Sequence, residues 1–589
     1  MKATKARKIA TAPAPQPSQA PVWPYAAAAL ATLVAAFWAY GPALNGPFLF
    51  DDQALPFALP NFQAPLINWL KADVRPVLFF TYYLNAQIGD GNPYSFHVVN
   101  VLIHLVSTGL IFLIVRRLLE WRRREAGPQR ITPKDRTDDF LAGLAAAIFL
   151  VHPVQTEAVA YLAGRSESLS AMFGLAALAV FVYRKQATVT WAVAAAVLAL
   201  FGLALLSKQN AIALPALLLL TDYWWNPGFT FQGIRANWRL YVPTLLGALV
   251  GTGFFWKLIM TAETAGFGMK DLTWYQYFFT QCRALFVYLG LFVLPANLTA
   301  DWDFSISRSI LDHGAIAGLI VLVTLAAAAW HCRRRFPLAS FGFFVFLVMM
   351  APTSSILPIR DPIAERRLYS AILGLLLIAV DLLGRVKLER KVLVAASAAV
   401  VLLLTVVTHA RAAVWSDSLA LWEDTARKAP NKRRVRFQLG YAYFSLEPPD
   451  YQRAIAEFEK AGQLEPPDYN LLVDEGLAYD GLNRIDDALA KLRLAAMKGP
   501  TAHVYTQIGM VYAKRQRWPQ ALDALATAEK IDAGFGPTYM YRGKVYELTG
   551  RFAEARTEYE HALRIDPVDK EARDGLLRVM QLLQQRPAN

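Results

Sequence analysis

Residues 96–124 read FHVVNVLIHLVSTGLIFLIVRRLLEWRRR. The run from Phe96 to Val115 carries no formal charge, and Arg116, Arg117, Arg122, Arg123 and Arg124 follow it. About 20 apolar residues make a helix that crosses roughly 30 Å of hydrocarbon, and short loops rich in Lys and Arg stay on the cytoplasmic side. The stretch therefore predicts a spanning helix whose C-terminal end is cytoplasmic.

Working outward, the same pattern recurs. Candidate spans are 24–43, 96–115, 139–152, 167–183, 188–206, 210–225, 240–259, 312–331, 337–354, 368–384 and 392–411, and 277–295 is also apolar. Basic clusters at Lys2–Lys8, Arg116–Arg124, Arg184–Lys185, Arg235 with Arg239, Arg333–Arg335 and Arg385–Lys391 fall in every second loop. The complementary loops 44–95, 153–166, 207–209, 260–311 and 355–367 are then extracytoplasmic. The alternation survives only if 277–295 does not fully cross, so the expectation is eleven crossings, a re-entrant or hairpinned 277–295, and an external C-terminal region. The first apolar run, Tyr25–Tyr40, ends in Gly-Pro-Ala-Leu-Asn-Gly-Pro rather than at a small-residue cleavage site, and is expected to remain as a span.

Composition agrees. Of 589 residues, 55% are hydrophobic and 12% aromatic, with positive mean hydropathy, too apolar for a soluble chain of this length. The formal charge of +14 would suit nucleic acid or a membrane surface, but the basic residues lie between apolar segments, so no nucleic-acid partner is expected. Cys282 and Cys332 form neither a disulfide framework nor a metal site.

The C-terminal third has another period. Gly440, Gly476, Gly509 and Gly543 are each followed three residues later by Tyr443, Tyr479, Tyr512 and Tyr546. Ala488, Ala521 and Ala555, then Ala495, Ala528 and Ala562, recur in phase, and Pro466, Pro500 and Pro567 close units. A period of about 34 with these small residues is the tetratricopeptide helix-turn-helix pattern, with an insertion at 447–450 in the first unit. The expected fold class is thus all-α: a polytopic transmembrane helical domain followed by a tetratricopeptide α-solenoid. The expected organisation is a cytoplasmic basic tail at 1–23, a membrane domain at 24–411, a linker helix at 412–432, and four repeats plus a capping helix at 433–580. Such an array offers a groove for a protein or peptide partner; a purely structural cap is the alternative.

Polar residues at the ends of spans are costly and often mark sites. The external loops collect Asp51 and Asp52 behind an aromatic cluster. A desolvated carboxylate there suits general-base work, while a helix cap or loop acid is the plainer reading. Arg75 follows, then His97, Asn100 and His104 on one helix face, where helix–helix hydrogen bonding competes with a ligand role. His152, Glu157, Arg165 and Glu167 form a loop able to orient sugar or phosphate, and Lys208 sits between two short spans. The stretch Arg360-Asp361-Pro-Ile-Ala-Glu365-Arg366-Arg367 places arginines where the positive-inside trend disfavours them. Bidentate phosphate binding is one reason for that, and pairing with Glu365 or Asp361 the other. A candidate base, several cations and no metal constellation suit sugar transfer from a lipid phosphate.

These phrases in this order, Phe-Asp51-Asp52, Arg75-Pro76, His97-Val-Val-Asn100 with His104, His152-Pro-Val-Gln-Thr-Glu157 with Gly164-Arg165-Ser-Glu167, Ser207-Lys208 and Glu365-Arg366-Arg367-Leu-Tyr369, followed by the repeats, resemble the transmembrane and tetratricopeptide-repeat protein O-mannosyltransferases and their bacterial relatives. The likeness runs over nearly the whole chain. It implies a GT-C glycosyltransferase in a bacterial inner membrane with periplasmic repeats. The enzyme would move a hexose such as mannose from a polyprenyl-phosphate donor to Ser or Thr of a protein with inversion, without a cofactor. By the same resemblance Asp51, with Asp52 beside it, holds the catalytic carboxylate, and Arg75, Arg165, Lys208 and Arg366 attend the leaving phosphate. Gln209 and Arg367 depart from the family's Ser-Lys-Glu and Glu-Arg-aromatic patterns, which leaves donor identity open. A non-catalytic scaffold recruiting envelope proteins through the repeats is the competing expectation.

Overall fold

The computed structural model describes residues 23–58, 65–71, 73–89, 91–125, 136–261 and 265–585. The basic tail expected over 1–23 lies outside them, Trp23 excepted. Among the described residues the chain is all-α, with one isolated antiparallel bridge between Ala265 and Ile359.

The principal helices of the first part are α1 (Trp23–Tyr40), α2 (Pro76–Gly89), α3 (Pro93–Glu125), α4 (Arg136–Val151), α5 (Arg165–Val182), α6 (Trp191–Leu205) and α7 (Leu214–Trp225). They continue as α8 (Trp238–Thr261), α9 (Trp274–Val293), α10 (Ala315–His331), α11 (Pro337–Met350), α12 (Leu368–Leu383), α13 (Arg390–Val414) and α14 (Ser418–Lys428). Among the described residues, five stretches are long and apolar enough to cross a bilayer: Ala26–Asn45, Pro93–Arg124, Leu162–Val182, Asp312–Arg334 and Arg390–Val414. Thr137–Val151 with Pro153–Ala160, bent by 50°, makes a sixth if taken as one span.

The apolar runs predict eleven crossings, and several fall on shorter elements. α6 and α11 have 15 and 14 residues, about 22 Å of helix at 1.5 Å per residue, short of the roughly 30 Å of hydrocarbon. Polar turns at His152-Pro153 and Ser207-Lys208 interrupt the helices, and those turns carry candidate site residues. Segment 277–295 lies mostly on α9, whose N-terminus is fixed by a Thr273/Gln276 capping box. Ile320 and Val323 on α10, Leu402 and Leu403 on α13, and Leu245, Leu249 and Val250 on α8 are exposed. Those faces are solvated by acyl chains: the chain is a membrane protein with transmembrane helices.

The interior is closed by glycines and by paired charges. α11 and α12 cross where the backbone carbonyls of Gly374 and Gly342 occupy each other's Cβ space, the close approach that small residues allow between spans. Asp381 accepts from Arg122 (3.0 Å), Arg385 (3.1 Å) and the Ala339 N–H (2.9 Å). Asp222 accepts from Arg184 (2.8 Å), Asn237 (2.6 Å) and Tyr241 (2.7 Å). Buried carboxylates persist only with such partners, and these two knit three of the basic clusters at one end of the bundle.

The repeats are hairpins: α15 (Arg433–Phe444) with α16 (Tyr451–Leu464), α17 (Tyr469–Gly481) with α18 (Ile485–Lys498), α19 (Ala502–Lys514) with α20 (Trp518–Ile531), and α21 (Gly536–Leu548) with α22 (Phe552–Ile565). A last helix, α23 (Lys570–Gln585), follows. The periodic glycines make room inside each hairpin, Gly440 for Phe458, Gly476 for Leu492, Gly509 for Leu525 and Gly543 for Tyr559. The first spacing, Gly440 to Gly476, is two or three residues longer than the others, and its insertion sits in the α15–α16 turn. Tyr479 donates from its hydroxyl to Glu459 at 2.8 Å, and Tyr443 to Glu423 at 2.7 Å. Glu423 lies on α14, so that helix stands to the first hairpin as α16 stands to the second.

Candidate active site

The chain leaves α1 through two short 3-10 turns, the second at Phe50–Ala54. Phe50 has φ 51°, a left-handed conformation that a bulky side chain adopts at a cost on the order of 1–3 kcal/mol. Its ring is held from three sides: against Trp422 at 5.4 Å, against Tyr161 at 6.2 Å, and beneath the Arg434 guanidinium at 5.6 Å. The next two residues are thereby separated. Asp51, its N–H donating to the Tyr161 hydroxyl at 3.1 Å, is exposed and lines a cavity of about 310 Å³. Asp52 is 1% exposed and accepts from the N–H groups of Leu49 (3.2 Å) and Ala163 (2.7 Å). Burial pushes the Asp52 carboxyl up to about 8, against those hydrogen bonds.

The Asp51 cavity is also lined by Arg366, Arg360, Asp301, Asp361 and Arg434. Beyond the Ala265–Ile359 bridge, both of whose residues it shares, lies a second cavity of about 630 Å³. Its wall is apolar, with Val74, Ile212, Phe267, Ile356 and Leu357, and it holds Arg75 and Lys208. Three cations from segments far apart in sequence so gather around one border, and the charges of Arg366 and Arg75 both act on Lys208. Each is anchored by an acid: Arg75 by Asp73 at 2.5 Å, Lys208 by Glu167, and Arg366 by Glu157, which also accepts the Arg366 N–H at 2.7 Å. Burial lowers the Lys208 pKa, with Glu167 opposing. The Glu157 carboxylate, overcoming burial, raises that of Arg366. The expected alternative for Arg366, pairing with Glu365 or Asp361, is replaced by this pairing with Glu157.

Other predicted site residues are used inside the protein. Arg165 is 0% exposed and lines neither cavity; it donates to Asn100 (2.7 Å), Asn85 (2.8 Å) and the Phe96 carbonyl (2.9 Å), under the ring of Tyr82. It is a neutral-acceptor clamp, not a free phosphate ligand. His97 donates to the Gly46 carbonyl (3.3 Å) and His152 to that of Phe292 (3.1 Å), while His152 Nδ1 accepts the Val154 N–H. Arg367 donates to the carbonyls of Asp361 (2.6 Å) and Pro362 (2.9 Å), closing its own loop. Glu365 is fully buried, accepts the Thr299 N–H at 2.5 Å, and is pushed up by burial, with Arg411 opposing.

Protein O-mannosyl-transferase F38B6.6 of Caenorhabditis elegans is 26% identical over 432 residues, 68% of this chain and 58% of the relative. Protein O-mannosyl-transferase TMTC3 of Homo sapiens is 23% identical over 547 residues, 84% of this chain and 57% of the relative. The chain is similar to proteins named protein O-mannosyl-transferases. An alignment as long as the second crosses from the membrane helices into the repeats, although the chain spans little more than half the length of these relatives. The Tetratricopeptide repeat family matches residues 537–567. Among solved structures, the crystal structure of MamA is similar at 22% identity over 25% of this chain and 86% of that one, with a TM-score of 0.23.

Sequence reasoning singled out Arg360 with its loop but missed Asp301 and Arg434 as cavity residues. The one signal for the last was the basic run Lys432-Arg433-Arg434 at the head of the repeats.

Proposed function

We propose that the chain is a GT-C-type glycosyltransferase that moves a hexose, mannose by analogy with its relatives' names, from a polyprenyl-phosphate donor to a Ser or Thr hydroxyl of an extracytoplasmic protein. The supporting observation is the pairing of cavities: an acid-bearing polar one containing Asp51 and Arg366 against an apolar one containing Arg75 and Lys208. The apolar wall suits a prenyl chain, the cations at its border suit the phosphate, and the sugar then reaches Asp51. The Asp51 carboxylate takes the hydroxyl proton as the acceptor oxygen bonds to the anomeric carbon from the face opposite the phosphate. The anomeric C–O bond breaks and its electron pair leaves on the polyprenyl phosphate, which gains one negative charge. Arg366 and Lys208, already in place, stabilise that charge. The configuration inverts. The repeats present the acceptor, and the chain divides into a catalytic membrane unit and this periplasmic array. The site end faces the periplasm of a bacterium and the basic end the cytoplasm, in keeping with the positive-inside rule.

The test is reconstitution of the full chain in lipid with radiolabelled polyprenyl-phosphate hexoses and envelope protein, followed by mass spectrometry. Hexose on Ser or Thr is expected; no transfer from any hexosyl donor would sink the reading. Lys208→Ala is expected to raise the donor KM and lower kcat/KM by roughly 10- to 100-fold, the loss of one charge-assisted phosphate contact.

A further inference from the structure

The Asp51 cavity has one wall that the membrane helices do not supply. Among the described residues lining it, Arg434, on the first repeat helix α15, is the one contributed by the repeats. Its Nε donates to Asp301 at 2.6 Å, a terminal nitrogen donates to Asp361 at 2.8 Å, and the guanidinium lies over the Phe50 ring. These partners sit on the three loops that, with Ala265 and Arg366, line the cavity: 50–51, 300–301 and 359–364. Lys432 reinforces two of them, bonding Asp301 and the Trp302 carbonyl (3.0 Å), with Asp361 at 3.7 Å. Burial would raise the Asp361 pKa, and the Arg434 and Lys432 cations more than reverse it. Phe50, with its left-handed backbone, immediately precedes Asp51. A strained residue keeps its conformation only where its surroundings over-determine it, and here Trp422 and Arg434 of the C-terminal region do so.

We propose that Arg434 is a positioning residue for Asp51, so that the first repeat hairpin is a wall of the active site and not only a recruiter of acceptor; this rests on the transferase reading above. A guanidinium offers its donors in a rigid planar fork and so holds two aspartates in one fixed geometry, whereas an ammonium offers three freely rotating donors. Arg75 and Lys208, which would hold the donor phosphate, lie in the other cavity, and neither is in contact with Arg434.

The experiment uses the full chain in lipid nanodiscs with the active polyprenyl-phosphate hexose, comparing Arg434→Ala, Arg434→Lys and Arg436→Ala. Arg436 pairs with Glu457 inside the hairpin at 3.0 Å and serves as the control for damage to the repeats. Arg434→Ala is expected to lower kcat tenfold or more with donor KM within twofold, Arg434→Lys to recover part of kcat, and Arg436→Ala to match the wild type. Hydrogen exchange is expected to accelerate together at 48–54, 298–303 and 358–366 in Arg434→Ala. Unchanged kcat, or acceleration confined to the repeats, overturns the proposal. A wild-type chain that transfers nothing would overturn the transferase reading, and the exchange result would still decide whether Arg434 couples the three loops.

Discussion

Asp51→Asn is expected to reduce hexose transfer by about three orders of magnitude, within the roughly 10²–10⁴-fold that a positioned general base contributes, with yield and melting temperature unchanged. The fold should tolerate the change because the side chain opens onto the cavity and the local hydrogen bond to Tyr161 comes from the Asp51 backbone. Initial rates with labelled donor, beside a melting curve, check both halves. A scaffold that recruits envelope proteins through its repeats would keep its partners and phenotype in this variant, so the same variant separates the two readings. The neighbour should behave differently. Asp52 is raised from 3.8 to about 8 by burial, and a carboxyl with a raised folded pKa stabilises the fold while protonated. That contribution is complete below pH 4 and is lost as pH rises through 8. The wild-type melting temperature is therefore expected to fall between pH 5 and 9, with a shallower slope in Asp52→Asn and a much smaller loss of turnover than in Asp51→Asn. An equal loss of turnover in both variants would restore Asp52 as a reacting group.

What the sequence could say about this molecule follows from the range of each interaction. The repeats were legible because Gly440, Gly476, Gly509 and Gly543 each need space for one side chain of the same hairpin, a local demand repeated at a fixed period. The membrane character was legible because lipid solvation depends on residue type alone. The number of crossings was harder to read: α6 and α11 are apolar yet too short to cross unaided, and the turns that shorten helices hold polar groups of the site. Among the candidate cations, Arg75, Lys208 and Arg366 line the two cavities described above while Arg165 and Arg367 do not. The difference lies in whether the surroundings offer internal acceptors. Asn85, Asn100 and Phe96 capture Arg165 from 65 to 80 residues away, which no local pattern reveals. The ion pair of Arg434 with Asp301 joins residues 133 apart, and each alone reads as an ordinary surface charge.

Arg165 gives the sharpest contrast with the cavity-lining cations proposed to hold the donor phosphate. All of its hydrogen bonds go to neutral acceptors, and its guanidinium is sandwiched near Tyr82 at 4.7 Å and Phe96 at 5.5 Å. Arg165→Ala would strand Asn100, Asn85 and the Phe96 carbonyl in a buried site and leave a void where the side chain packed. Each stranded group costs about 1–3 kcal/mol, and the total expected loss is roughly 3–5 kcal/mol, comparable to breaking a buried charged network. Folded yield should collapse, read as the monodisperse fraction after detergent extraction and as the melting temperature of what remains. Arg75→Ala, by contrast, removes a half-exposed side chain paired with Asp73 and should leave both readouts near wild type. The triple variant Arg165→Met, Asn85→Leu, Asn100→Leu removes both sides of two of the hydrogen bonds, and an apolar replacement of both partners is far cheaper than orphaning one. It should regain much of the yield lost by Arg165→Ala. If Arg165→Ala instead folds normally and only weakens donor binding, the guanidinium is a phosphate ligand after all and its internal hydrogen bonds are incidental.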